Sequence, residues 1–301
     1  MSSHGFKHDK RKIKMRLWII FIFIVIPLIL TLFLGNLVYA EKPEIKTWLC
    51  YYGKEFGPEV YLRFDLVVLD GHNHPLICHM GKSKPIILGY ISVGEVAING
   101  YLWPYVKGKS YLIRKNKLWN SWVVDVRNLE WQHLLFENAI PYVVKEGFDG
   151  FFLDTFDSSI SLINDHKVKD PNGIKTSLKQ IIHKIREKYP DKFIAVNRGL
   201  SLLPEIGRDI DFLVVEDLYS YYGGPKKGYI RVKKETQELL LQQIEMGLKV
   251  NPNLIVLTLD YAPPDRPDMA REAIAFSRKR GFIPYVSSYL LNEIYFYTIN
   301  N

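Results

Sequence analysis

An α/β fold, a (β/α)8 TIM barrel preceded by one N-terminal hydrophobic helix, is expected of this 301-residue chain. Three observations carry the expectation. Eight short β-branched or aromatic runs alternate with helix-patterned segments across about 250 residues, the span and rhythm of such a barrel. Most of the runs are continuously apolar, as strands covered on both faces must be. At the amino terminus a basic stretch runs into an uncharged apolar segment, which belongs to no barrel strand.

That first segment has its own logic. Six basic side chains (Lys7, Lys10, Arg11, Lys12, Lys14, Arg16) face one acid, Asp9, before eighteen uncharged residues from Leu17 to Leu34. A helix of that length nearly crosses a bilayer, and basic residues ahead of it hold the amino terminus in the cytoplasm. Residues 1–16 therefore read as a cytoplasmic basic segment and 17–40 as a signal peptide or transmembrane anchor, leaving 41–301 as one exported barrel domain. Small side chains at Val38 and Ala40 suit cleavage after Ala40; the long apolar run suits retention as an anchor facing outward. Both remain open. With those forty residues set aside, the net charge of +8 falls to +3, from 34 Lys+Arg against 31 Asp+Glu, so nucleic acid is not an expected partner. Two cysteines, Cys50 and Cys78, allow one bridge or two free thiols, and either way an exported domain of this size rests on its hydrophobic core.

The eight runs are Trp48–Gly53, Leu66–Asp70, Ile86–Val93, Phe148–Asp154, Phe193–Asn197, Phe212–Glu216, Leu254–Asp260 and Phe282–Ser287. Between them Ile174, Leu178, Ile181, Ile182, Ile185 and Tyr189 share one helical face. Asn128 and Gly147 read as the two caps of another helix, and Asp268 to Arg280 closes on a basic turn and Gly281. An open doubly wound sheet would place a glycine-rich turn after its first strand, and Tyr51 to Glu55 offers none. The long connection from Gly94 to Asn128, rich in Tyr and Trp, reads as an excursion over the barrel mouth.

Catalytic groups of such barrels come from the carboxyl ends of the strands. Those ends are polar here: Tyr51, Asp70, Ser92 with Glu95, Asp154, Asn197 with Arg198, Glu216 with Asp217, Asp260 with Tyr261, and Ser287. Four strands end in a carboxylate, which suits glycoside hydrolysis or a divalent metal. For metal there are His72, His74, Cys78 and His79 after the second strand, but the later strand ends lack the nitrogen ligands of metal-dependent amidohydrolases. Neither metal nor cofactor is expected, and these histidines read as a polar loop. No Gly-x-Ser-x-Gly elbow supports a serine hydrolase, and Gly223 to Gly228 reads as an exposed loop. Tyrosines flank the strand ends, Tyr51, Tyr52, Tyr90, Tyr219 and Tyr261 among them, and aromatic rings pack on the apolar faces of sugars. A saccharide cleft is therefore expected.

Four stretches then resemble the endo-α-1,4-polygalactosaminidase-like group of extracellular glycoside hydrolases: Gly89-Tyr-Ile-Ser-Val-Gly-Glu95, Trp122-Val-Val-Asp-Val-Arg-Asn128 leading to Trp131, Gly147-Phe-Asp-Gly-Phe-Phe-Leu-Asp-Thr-Phe-Asp157, and Asp211-Phe-Leu-Val-Val-Glu-Asp-Leu-Tyr219. Thr258-Leu-Asp-Tyr261 fits as well. The resemblance runs from Trp48 to Tyr289. It implies an α-linked amino-sugar or galactose-type polysaccharide as substrate and a catalytic pair of fourth-strand aspartate and sixth-strand glutamate, by position Asp154 and Glu216. Analogy with the α-galactosidase-like barrels gives Asp154 the nucleophile's role and Glu216 the acid/base role, with a raised pKa on Glu216 and retention of configuration. Asp157 competes for the first role. Tyr51, Asp70, Ser92, Glu95, Asp157, Asn197, Tyr219, Asp260 and Tyr261 are expected to hold the sugar. Other readings are a silent saccharide-binding barrel tethered to a membrane and a metal-dependent hydrolase.

Overall fold

The computed structural model describes residues 44–77, 85–168 and 170–298. The expected N-terminal helix, the cleavage site and Cys78 lie outside them. No helix among the described residues is long and apolar enough to cross a membrane.

From Ile45 onward the chain is one unit built on eight parallel strands in sequence order. They are β1 (Trp48–Tyr51), β2 (Leu66–Asp70), β3 (Ile86–Ser92), β4 (Gly150–Asp154), β5 (Phe193–Asn197), β6 (Phe212–Glu216), β7 (Ile255–Tyr261) and β8 (Ile283–Ser287). Each expected run lands on one of them. Their interiors are buried on both faces, which is why the runs show no alternation.

The barrel is nearly closed. At the seam between β8 and β1 the Trp48 indole N–H donates to the Ile283 carbonyl at 3.0 Å, and beyond the strand the Tyr52 N–H reaches the Leu291 carbonyl at 2.7 Å. Trp48 also meets the Tyr285 ring edge-on, 5.9 Å between centroids.

The connections are less regular than strict alternation predicts. After β1 stands one four-residue helix, Pro58–Tyr61, and after β2 no helix is found among the described residues. After β4 a short helix, Phe156–Ser161, leads to Ile174–Lys188, whose Ile174, Leu178, Ile181, Ile182 and Ile185 are all buried, as the periodicity predicts. The helix that Asn128 caps, its side chain accepting the Trp131 N–H at 3.0 Å, runs to Lys145 with a wide turn over Leu135–Ala139. That turn lies just ahead of Pro141, which has no N–H to give and whose ring would crowd an ordinary turn.

The Gly94–Asn128 excursion forms a three-stranded antiparallel sheet (Glu95–Ala97, Leu112–Asn116, Ser121–Val124) beside the mouth. The segment read as a loop at Gly223–Gly228 is instead the tip of a hairpin, Ser220–Tyr222 paired with Tyr229–Arg231. Gly224 and Gly228, with φ of 90° and 61°, make its turn.

Candidate active site

Neighbouring strands are in register so that strand-end side chains meet across the mouth: Ser92 pairs with Asp154, and Glu216 with Leu259. A cleft of about 390 Å3 opens there. Its wall includes Tyr52, Asp70, Tyr90, Asp154, Asn197, Glu216 and Tyr261 from the barrel, and Glu95, Asn116, Trp119 and Ser121 from the accessory sheet.

At its centre one amide ties two carboxylates together. The Asn197 Nδ2 donates to Asp154 Oδ1 at 2.9 Å and to Glu216 Oε2 at 2.8 Å. Asn197 is 3% exposed, and its buried Oδ1 meets no donor among the described residues. The two N–H bonds of a planar amide diverge by about 120°, so the bridged carboxylate oxygens stand about 5 Å apart. Glu216 accepts a second hydrogen bond, from the Tyr261 hydroxyl. The Thr155 amide and the Tyr90 hydroxyl stand beside Asp154 and favour its charged form.

Burial, and after it the charge of Glu216, push the Asp154 carboxyl up to about 7. The rise expected on Glu216 is found on Asp154, whose charge reaches Tyr52, Tyr90 and the buried Cys50 thiol. The same causes in the same order raise Asp217, which Arg198 partly offsets.

Glu95 forms a second acidic point in the cleft. It is buried, 5% exposed, and is held by neutral donors: Asn116 Nδ2 at 3.1 Å and the hydroxyls of Ser121 and Ser158. Trp119, half exposed, presents an aromatic surface on the same wall. On the far rim Tyr289 stacks on Tyr222, 3.9 Å between centroids.

The expected site residues divide into three groups. Asp154, Glu216, Asn197, Tyr261, Asp70 and Glu95 come together in the cleft. Asp157 and Ser92 line it but are engaged. Asp157 takes the Arg198 Nε–H at 2.8 Å and the Gly199 N–H at 3.1 Å, and the Ser92 hydroxyl donates to the Glu95 carbonyl at 2.8 Å.

Tyr51, Tyr219 and Asp260 are corrected to positions outside the cleft: Tyr219 stands past the end of β6, and for Tyr51 and Asp260 the reason is that successive strand residues face opposite sides. Tyr51 turns outward, its hydroxyl taking the Glu55 N–H at 2.9 Å, while Tyr52 faces the cleft. Asp260 turns away beside the inward Leu259 and Tyr261, accepting the Tyr219 and Ser220 amides at 2.6 and 2.9 Å. Tyr219 lies outside with its hydroxyl on Glu272 at 3.0 Å. His72 stacks on Tyr101 and His74 meets Phe148 edge-on. Trp119, Asn116 and Ser121 were missed because they stand on no barrel strand.

The chain matches glycoside-hydrolase family GH114 over residues 36–301. Among solved structures, the glycoside hydrolase domain of PelA from Pseudomonas aeruginosa is similar in fold, with a TM-score of 0.69 at 24% identity, covering 83% of this chain and 98% of that one. Ega3 of Aspergillus fumigatus, solved in complex with galactosamine, has a TM-score of 0.61 at 11% identity, covering 84% and 95%. No curated protein matches the chain.

Proposed function

Because this chain belongs to glycoside-hydrolase family GH114 and is a glycoside hydrolase, we propose that it cleaves an α-linked amino-sugar or galactose-type polysaccharide with retention of configuration, Asp154 serving as nucleophile and Glu216 as acid/base. The observation that carries the reading is the Asn197 bridge. A retaining pair stands about 5–5.5 Å apart and an inverting pair about 6.5–9.5 Å, to leave room for a water. Oxygens bonded at 2.9 and 2.8 Å to one nitrogen support the first spacing.

Hydrogen-bond donors support the division of roles. Glu216 meets the rotatable Tyr261 hydroxyl, which can accept from a carboxylic acid as readily as donate to a carboxylate, so the group is served in both forms. The Asp154 carboxylate then attacks the anomeric carbon as Glu216 gives its proton to the departing glycosidic oxygen. Glu216, now a carboxylate, takes a proton from water, whose oxygen displaces Asp154 from the glycosyl ester.

Asp70, Glu95, Asp157, Asp154 and Glu216 against Arg198 make the cleft negative, which suits a partly deacetylated, cationic amino-sugar. Such a cleft can also engage a neutral galactose polymer through Asn116, Asn197 and the tyrosines. We propose further that the basic and apolar segments of residues 1–40 export the barrel, as a membrane-anchored or a cleaved form.

The test uses a panel of amino-sugar and galactose polymers with reducing ends as readout. Glu216→Gln lowers turnover about 10²–10⁴-fold on the cleaved polymer, and Asp154→Asn at least as far, with folding intact because neither change alters volume much. The first-formed product, caught by NMR before mutarotation, is the α anomer. Near-full activity in both variants, or a β anomer formed first, overturns the reading.

A further inference from the structure

Two of the motif stretches, Gly89–Glu95 and Gly147–Asp157, meet at Thr155, a residue with no part in the steps above. Thr155 follows Asp154 with φ 68° and ψ 23°, in the left-handed region, where a β-branched residue is a genuine outlier. In that conformation it sets the direction in which the chain turns away from Asp154 at the end of β4.

Hydrogen bonds from the end of β3 hold it there. The Gly94 N–H donates to the Thr155 hydroxyl oxygen at 2.7 Å, that hydroxyl lies 2.9 Å from Ser92 Oγ, and the Ser92 hydroxyl donates to the Glu95 carbonyl at 2.8 Å. With one proton per hydroxyl, a single run from Gly94 through Thr155 and Ser92 to Glu95 satisfies every member. The Thr155 hydroxyl also lies 2.5 Å from the Asp154 carbonyl, which the Val93 N–H already serves at 3.0 Å. The approach leaves room for glycine alone at position 94, since a Cβ there would sit 2.3 Å from the Thr155 carbonyl oxygen.

We propose that Thr155, locked by Ser92 and Gly94, is a positioning residue for the reaction: its strained backbone fixes the direction in which the Asp154 side chain leaves the end of β4 and so aims that carboxylate at the anomeric carbon. The proposal rests on Asp154 being the nucleophile. The strain has a use, because misplacing a reacting group by about 1 Å costs on the order of 100-fold in rate.

Thr155→Val keeps shape and β-branching but leaves the Gly94 N–H without its acceptor and the left-handed turn without its support. The expected result on the cleaved polymer is a kcat lowered about 10–100-fold with KM changed less than about twofold. The acid limb of the kcat/KM profile moves to higher pH, because a carboxylate turned from the Thr155 amide that favours its charged form ionises less readily. Thr155→Ser restores both, and Ser92→Ala gives an intermediate loss in the same direction. Asp154→Asn is measured alongside. If it is inactive while Thr155→Val keeps kcat within twofold and an unmoved acid limb, the proposal is wrong; if Asp154→Asn is active, the nucleophile assignment is what fails. Should circular dichroism show Thr155→Val unfolded, Ser92→Ala decides by the same two readouts, and no change in either overturns the proposal.

Discussion

Asp260→Asn separates a carboxylate that serves the fold from those that face the cleft. Asp260 is wholly buried behind the barrel wall. Its Oδ1 accepts the Tyr219 and Ser220 amides, and its Oδ2 has no partner among the described residues. Burial is the main cause that pushes its carboxyl from 3.8 up to about 7. The folded state therefore binds a proton that the unfolded chain has already released between these values. Its stabilising contribution is present in full below pH 3.8 and is lost as pH rises to about 7. At about 1.36 kcal/mol per pH unit, that window is worth on the order of 4 kcal/mol at most.

Asparagine copies the protonated acid, keeping an oxygen for the two amides and never ionising. Urea unfolding followed by circular dichroism at pH 4, 6 and 8 should give nearly equal stabilities at pH 4. The variant should gain on the parent through pH 6 and be the more stable by up to about 4 kcal/mol at pH 8. Asp154 titrates in the same range but is common to both proteins and cancels in the difference, while Asp217, whose carboxyl the Asp260 charge helps to raise, shifts the difference in the same direction. Turnover should stay within about twofold. Parallel stability curves, or a loss of activity by orders of magnitude, would refute the outward placement of Asp260 or its burial-driven titration.

Tyr51→Phe tests the same parity on the first strand: it removes the acceptor of the Glu55 N–H, lowers stability by about 1 kcal/mol and leaves kcat/KM unchanged, whereas Tyr52→Phe lowers kcat/KM. A Tyr51→Phe variant with impaired turnover and unaltered melting would contradict it. A carboxyl-terminal reporter that works only outside the cytoplasm should be active on the full chain and silent once residues 1–40 are deleted; activity only in a cytoplasmic reporter sinks the export proposal.

The eight strands were legible because Val, Ile, Leu and Phe runs of five or so residues, buried on both faces, have few other uses. The same property hid which residue of each run faces the mouth. A strand with one wet face shows its parity in an alternation of polar and apolar residues, and β1 and β7 do not. Reading the last residue or two of each run as site residues therefore found Asp70, Asp154, Asn197 and Glu216, where the inward residue ends the strand, and put Tyr51 in place of Tyr52. At β7 it took Asp260 together with Tyr261, though only the latter faces in. The accessory sheet left a weaker trace. Its Tyr and Trp content marked an excursion, but nothing local says that Asn116 and Ser121 fold back to hold Glu95.

Backbone strain is the feature least visible in the sequence and the one most tied to the site. Five non-glycine residues among those described have positive φ, and three of them, Thr155, Arg198 and Asp217, directly follow Asp154, Asn197 and Glu216. Such conformations cost about 1–3 kcal/mol each, and glycine at all three positions would avoid most of that. The side chains explain why it is absent from two of them. Thr155 is tied to Ser92 and Gly94, while Arg198 donates to the Glu216 carbonyl at 2.9 Å and pairs with Asp157. At the third position Asp217 gives its N–H to the Leu259 carbonyl at 2.9 Å, extending the β6–β7 pairing past Glu216. A left-handed residue at the end of a strand stops the ladder abruptly, so the last side chain stays in the mouth and the chain turns away at once. Repeated at three adjacent strands, the device sets two carboxylates and their bridging amide at fixed spacing before any sugar arrives, and the stability given up is what holds them about 5 Å apart.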